Sequence, residues 1–142
     1  MAEVEVDTET GEVKVHKVTT AHDCGFCINP EGLEAQIEGQ IYMGHGIALS
    51  EKVLIQDGNV LNPSFLDYKA VRAPDIPEMK TIIVESMEPR SAYGCKEAGE
   101  AAIPGVPVAI ANAIYDAIGV RFREYPITPD MILEGIQTKG GK

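Results

Sequence analysis

Between residues 31 and 50 the chain repeats apolar side chains at helical spacing and still carries glycines in its interior. Leu33, Ile37, Ile41 and Gly44 fall on one stripe, joined by Ile47 and Ala48. Gly39, Gly44 and Gly46 each weaken a helix by about 1 kcal/mol relative to alanine. A helix so weakened needs something pressed against it. The simplest compensation is the close approach of a neighbouring backbone or of a ligand, which a bare Cα permits. Asn29-Pro30 marks its start, because proline suits the first helical turn.

The other segments supply partners for this helix. Val4 and Val6, then Val13, Val15 and Val18, read as an N-terminal hairpin turned by Asp7-Thr8-Glu9-Thr10-Gly11. Residues 23–30 form a loop. A second hairpin is expected over 52–61, with Gln56-Asp57-Gly58-Asn59 as its turn. Residues 81–86 make the best strand in the chain, and a glycine-bearing loop over 89–99 follows. A second helix is predicted from Pro104 or Pro107 to Ile118, with Ala109, Ala113 and Ala117 on one face and Gly119 as its stop. Residues 120–124 read as a short strand. Thr128-Pro129-Asp130-Met131 opens a last helix ending near Gln137, and 139–142 should fray.

This is a mixed α+β pattern without regular βαβ alternation, and residues 1–142 read as a single domain. Residues 62–79, with Pro63, Pro74 and Pro77, are too long and irregular for a free-standing domain. They make more sense lying against other protein.

Charge and cysteine content exclude several functions. The net charge of −10 repels phosphate backbones, so no nucleic-acid partner is expected. No apolar run approaches the ~20 residues of a membrane helix, and no signal-peptide pattern opens the chain. A cytoplasmic location and no membrane partner are expected. Cys24, Cys27 and Cys95 are an odd count with no secretory context, which argues against a disulfide framework. Cys24 and Cys27 form a CxxC with His22 nearby. Structural packing and a metal or redox role both stay open, although no second CxxC completes a zinc set.

Two stretches carry candidate chemistry. In Gly94-Cys95-Lys96-Glu97-Ala98-Gly99-Glu100, two glycines let the backbone approach a bound group closely. Glu100 follows at the junction of loop and predicted helix, where backbone N–H groups and the helix dipole favour a carboxylate. An ordinary first-turn glutamate fits the same position. In Gln36-Ile37-Glu38-Gly39-Gln40, the carboxamide of Gln36 offers a donor and an acceptor suited to a heterocycle edge. A solvated helix glutamine is the plainer alternative. His45, between Gly44 and Gly46, reads as packing or surface.

Taken in order, these stretches resemble the xanthine dehydrogenase and aldehyde oxidase family. They are Asp23-Cys24-Gly25, Ile28-Asn29-Pro30, Gln36-Ile37-Glu38-Gly39, Gly44-His45-Gly46, Asp75-Ile76-Pro77, Lys96-Glu97-Ala98-Gly99-Glu100 and Ala111-Asn112-Ala113-Ile114-Tyr115-Asp116-Ala117. The resemblance spans nearly the whole chain. It implies the C-terminal portion of a molybdenum cofactor-binding domain, present as a fragment or a split subunit. It implies a molybdenum–molybdopterin cofactor, often extended by cytosine dinucleotide in bacteria. The implied reaction oxidises an aldehyde, N-heterocycle or aromatic substrate with water as oxygen source.

Carried over by motif, Glu100 is the catalytic general base and Gln36 a pterin contact. Lys96 and Gly99 belong to the same cofactor-binding loop, and no residue is implied as a metal ligand. Many members carry glycine where this chain has Glu97, which leaves the substrate class open. The implied partners are the remaining molybdenum-subunit segments, a 2Fe-2S subunit and an FAD subunit, since this chain has no cysteine set for an iron–sulfur cluster. The chain alone is expected to be inactive. A non-catalytic assembly module with the same fold, or a CxxC metal or redox module, remain as alternatives.

Overall fold

A computed structural model describes residues 1–140. Strand β1 (Ala2–Val6) pairs antiparallel with β2 (Val13–Asp23). Asp7 closes the turn, its carboxylate accepting from the Glu9 and Thr10 amides. Helix α1 (Pro30–Leu49) follows, capped by the Asn29 side chain, which accepts from the Gly32 amide. Capping of this kind satisfies one of the free N–H groups of a first turn.

Strand β3 (Ile55–Gln56) and β4 (Asn59–Val60) form the second hairpin, shorter than the sequence suggests. Its turn residues Asp57 and Gly58 both have positive φ, as a tight hairpin requires. Residues 62–79 hold only a one-turn helix α2 (Phe65–Tyr68) and a 3₁₀ turn (Ala73–Asp75) before strand β5 begins.

Strand β5 (Glu78–Val84) starts three residues before the predicted strand and pairs parallel with β2, giving the sheet order β1-β2-β5. The path from β2 through α1 to β5 is thus one β–α–β crossover, a parallel pairing that hydrophobic patterning does not specify. Helix α3 (Gly105–Ile118) and helix α4 (Pro129–Gly140) complete the described chain. Residues 120–124 form no strand, contrary to expectation. Helix α4 runs three residues past Gln137, so Lys139 is helical; its ammonium donates to the Ile118 carbonyl at 2.8 Å. The expected fraying at 141–142 falls outside the described residues.

Helices α1 and α3 pack on the sheet and against each other. Val15 and Val18 from β2, Leu33, Ile37, Ile41 and Ala48 from α1, and Val106, Ile110 and Ile114 from α3 make the core, joined by Cys24, Ile127 and Ile132. The buried stripe of α3 is therefore the β-branched one; Ala109 and Ala113 are half-buried and Ala117 is exposed. Gly119 ends α3 in the left-handed conformation at φ 68°, which glycine adopts without cost.

Gly39, Gly44 and Gly46 of α1 have different surroundings. A Cβ on Gly44 would lie 2.5 Å from Cβ of Val106, so α1 and α3 touch there. A Cβ on Gly46 would meet the Glu51 side chain. A Cβ on Gly39 would meet no other part of the described chain within 4 Å.

Candidate functional site

The segment from Lys96 to Ala102 has no regular secondary structure, yet polar bonds hold almost every residue of it. The Lys96 amide donates to the Cys24 carbonyl at 2.7 Å, extending the end of β2. The Lys96 ammonium reaches Asp23 Oδ2 at 2.5 Å and Ser86 Oγ at 2.6 Å. The Ser86 hydroxyl also donates to Asp23. Asp23 and Ser86 stand at the adjoining ends of β2 and β5, so the parallel pairing creates this anchor. The ammonium of Lys96, then the Ser86 hydroxyl and the Gly25 and Ser86 amides, hold the Asp23 carboxyl well below the usual carboxylate range. Further along, Nε2 of His22 donates to the Glu97 carbonyl at 2.9 Å.

Gln40 makes the deepest attachment. It is only 1% exposed, on the apolar stripe of α1. Its Nε2 donates to the Ala98 carbonyl at 2.7 Å, and its Oε1 accepts from the Ala102 amide at 2.7 Å. Between those two points Glu97 Oε1 accepts from the Glu100 amide at 2.8 Å, and the Glu100 carbonyl accepts from the Ile103 amide at 3.1 Å.

The backbone of Glu100 is therefore fixed on both sides, while its side chain is exposed and accepts no hydrogen bond among the described residues. Nor does Glu100 occupy the first turn of α3, whose N-cap is Pro104. The helix-capping explanation for this carboxylate is thereby removed. Gly99 just before it is exposed, and a Cβ there would meet only Glu97 Oε1 at 3.5 Å. Packing within this chain does not require a glycine at 99 any more than at 39.

Gln36 is exposed one helical turn before Gln40, which puts it on the side of α1 that carries the loop. Gly39, three residues on, is exposed as well. Gln36, Gly39, Gly99 and Glu100 are each exposed. Lys96 belongs to the same loop, with two of its three ammonium protons engaged inside the protein. None of Gln36, Lys96, Gly99 and Glu100 borders the cavity of about 1200 Å³ that His45, Ser50, Phe65, Leu66 and Asp75 help to line.

Sequence reasoning missed Gln40, Asp23 and Ser86. Gln40 had a readable signal: it sits three residues after Ile37 and four before Gly44, a polar residue inside an apolar stripe. Asp23 and Ser86 had none, because only the β2–β5 register brings them together.

Cys24 packs into the core, and burial pushes its thiol up, away from the reactive thiolate. Among the described residues no three His, Cys, Asp or Glu side chains converge as a metal site. His45 is buried, and burial lowers its imidazole below the ordinary value; its Nδ1 has no partner among the described residues. Among the described residues no helix is long and apolar enough to cross a membrane.

The family model described as the molybdopterin cofactor-binding domain matches residues 1–77, more than half of the chain. The chain belongs to that family. A putative xanthine dehydrogenase molybdenum-binding subunit, XdhA, of Escherichia coli (strain K12) is 39% identical over 137 residues, covering 95% of this chain and 18% of that protein. The nicotine 6-hydroxylase large subunit of Paenarthrobacter nicotinovorans is 37% identical over 141 residues, covering 96% of this chain and 17% of its own length. Among solved structures, the aldehyde oxidoreductase of Desulfovibrio gigas superposes with a TM-score of 0.88 at 30% identity, over 96% of this chain and 15% of that one. Quinoline 2-oxidoreductase of Pseudomonas putida 86 gives 0.87 at 32%, over 94% and 18%.

This chain therefore spans less than a fifth of the length of these relatives. Its α+β fold is that of the corresponding part of molybdenum hydroxylase large subunits. Within the molybdopterin cofactor-binding domain family, the model match includes Gln36, and the relatives' matches extend over nearly all of the chain.

Proposed function

We propose that this chain forms part of a molybdenum-dependent hydroxylase that oxidises an aldehyde, N-heterocycle or aromatic substrate, with Glu100 as its general base. One observation carries the reading: an exposed carboxylate with no structural partner stands on a backbone fixed from both sides. Exposed acidic residues usually stand on mobile backbone, whereas two hydrogen bonds fix the amide and the carbonyl of this one. A base must come within about 3 Å of the proton it removes, and a fixed backbone favours that.

The surroundings fit a bound pterin. Gly39 and Gly99 leave bare backbone beside Gln36 and Glu100, where packing within the chain asks for no glycine. Gln36 offers one donor pair and one acceptor to a heterocycle edge. Gly99 lets the bound group approach the loop backbone, and Lys96 has one ammonium proton left for it. When bound, the molybdenum cofactor, in its plain or cytosine dinucleotide form, supplies the two-electron redox chemistry with water as oxygen source. The residues of this chain orient it and take up one proton at the Glu100 carboxylate.

The site is open surface in this chain, so the remaining segments of a molybdenum-binding subunit are needed to enclose it. The exposed apolar side chains Ile55, Phe65 and Leu66 support such partners; Phe65 is 85% and Leu66 86% exposed. A 2Fe-2S subunit and an FAD subunit would carry electrons away. The names of the relatives, which include xanthine, nicotine, aldehyde and quinoline enzymes, favour a small carbonyl or heterocyclic substrate.

The test is Glu100→Gln in the assembled enzyme. Glutamine matches glutamate in size but cannot take the proton at neutral pH. The reductive half-reaction should slow by at least ~100-fold, the low end for general-base catalysis, with molybdenum content unchanged. Glu97→Gln should cost far less, since a glutamine oxygen can still accept from the Glu100 amide. Near wild-type turnover by Glu100→Gln, or greater damage from Glu97→Gln, would overturn the assignment.

A further inference from the structure

We infer that Gln40 is a positioning residue for Glu100: its buried carboxamide clamps the loop on both sides of that glutamate and fixes where the carboxylate stands. The inference rests on the reading of Glu100 as the base, and it adds a residue on another element that acts through it.

The geometry is specific. The two polar atoms of one carboxamide engage the carbonyl of Ala98 and the amide of Ala102, each at 2.7 Å. Those two atoms are only about 2.3 Å apart in any glutamine, a consequence of standard amide geometry. Five residues of chain are thus drawn into a turn with Glu100 at its middle. Helix α1 supports the clamp from below, because Ile37 and Ile41, on either side of Gln40, are fully buried. Placing a glutamine on that stripe sacrifices apolar packing, and an apolar side chain there would fill the space as well. Its presence is explained by what it holds. A buried carboxamide is tolerated only when its bonds are made, and Gln40 makes one with each end.

Its neighbours do not duplicate this. Lys96 and His22 hold the loop at its entrance, at residues 96 and 97. Glu97 bonds the Glu100 amide from within the loop, so it moves whenever the loop moves. The Gly105 amide of α3 donates to the Ala102 carbonyl at 3.2 Å, on the C-terminal side of Glu100 alone. Among the described residues, Gln40 is the side chain that bonds both flanks of Glu100 from a regular element.

The experiment uses the assembled, cofactor-loaded enzyme. Gln40→Met keeps the volume and removes both bonds. Turnover should fall by about 10- to 100-fold, the range produced when a reacting group is misplaced by ~1 Å, while KM changes less than ~3-fold, because substrate binding does not depend on the clamp. Hydrogen exchange of the peptide covering residues 96–104 should quicken. In a Glu100→Gln background the same change should add less than ~2-fold, because two residues acting through one group are not additive.

An undiminished turnover in Gln40→Met, or an equal loss in both backgrounds, would overturn the inference. Should Glu100→Gln alone prove active, the reading of Glu100 fails, whatever Gln40 does. If Gln40→Met does not retain molybdenum, Gln40→Glu, which keeps the acceptor for the Ala102 amide, is measured in its place with the same two-background comparison. Loss of molybdenum by both variants would make Gln40 a folding residue and likewise overturn the inference.

Discussion

Two irregular segments of this molecule are each organised around one buried carboxamide, and they differ in how far that side chain reaches. In residues 51–77, Asn62 donates to the Lys52 carbonyl at 2.6 Å and accepts from the Leu54 amide at 2.8 Å, partners ten and eight residues away. In residues 96–102, Gln40 bonds residues 58 and 62 positions away. The first arrangement shapes a hairpin locally and leaves Ile55, Phe65 and Leu66 bare. The second fastens a loop to the core and leaves one carboxylate bare. A local anchor sets the shape of a segment without committing it to the rest of the protein. A long-range anchor sets the position of one group in the frame of the whole domain, which is what acid–base chemistry needs. The bare apolar side chains are suited instead to a partner surface.

The sharpest way to break this comparison is to remove both anchors. Gln40→Met should lower the stability of the chain by about 1–3 kcal/mol, because the Ala98 carbonyl and Ala102 amide lose a buried partner. Asn62→Leu should cost under about 1 kcal/mol, since its partners belong to half-exposed or exposed residues and can turn to water. Urea denaturation midpoints compare the two. Equal losses would erase the distinction between local and long-range anchoring.

A smaller effect separates the entrance of the loop from its middle. The Asp23 carboxyl is held below its ordinary range in the folded protein, chiefly by Lys96. A carboxylate so lowered contributes stability that is fully present above its unfolded value of about 3.9. That contribution is lost as pH falls below it and through the folded value. Asp23→Asn should therefore be less stable than wild type at pH 7, and the gap should narrow on acidification below about pH 4. Denaturant midpoints across that range test it; a gap that stays constant would show that Asp23 does not fasten the loop through its charge.

The smallest effect belongs to the exposed apolar segment. Phe65→Ser and Leu66→Ser should change the stability of the chain by no more than about 0.5 kcal/mol, as surface substitutions do. Co-purification with the remaining subunit segments should nonetheless weaken. A large loss of stability in the chain alone would mean that these side chains already serve its own packing.

The sequence by itself determined the periodic elements, since apolar spacing and turn chemistry are local properties of the chain. Helix α1 starts at the Asn29-Pro30 signal, Gly119 stops α3, and the Asp57-Gly58 turn lies where it was read. It also brought Glu100 and Gln36 to notice, through the ordered motifs and their family resemblance. What the surroundings of Glu100 would be was not legible there. The alternative of an ordinary first-turn glutamate does not hold, because a run of short turns intervenes before α3 begins. The parallel pairing of β2 with β5, the meeting of Asp23, Ser86 and Lys96 at its end, and the two bonds of Gln40 were decided only by the tertiary structure. Each depends on residues about 60 to 70 positions apart, and a side chain's partners at that separation are set by which surfaces pack together rather than by its neighbours in sequence.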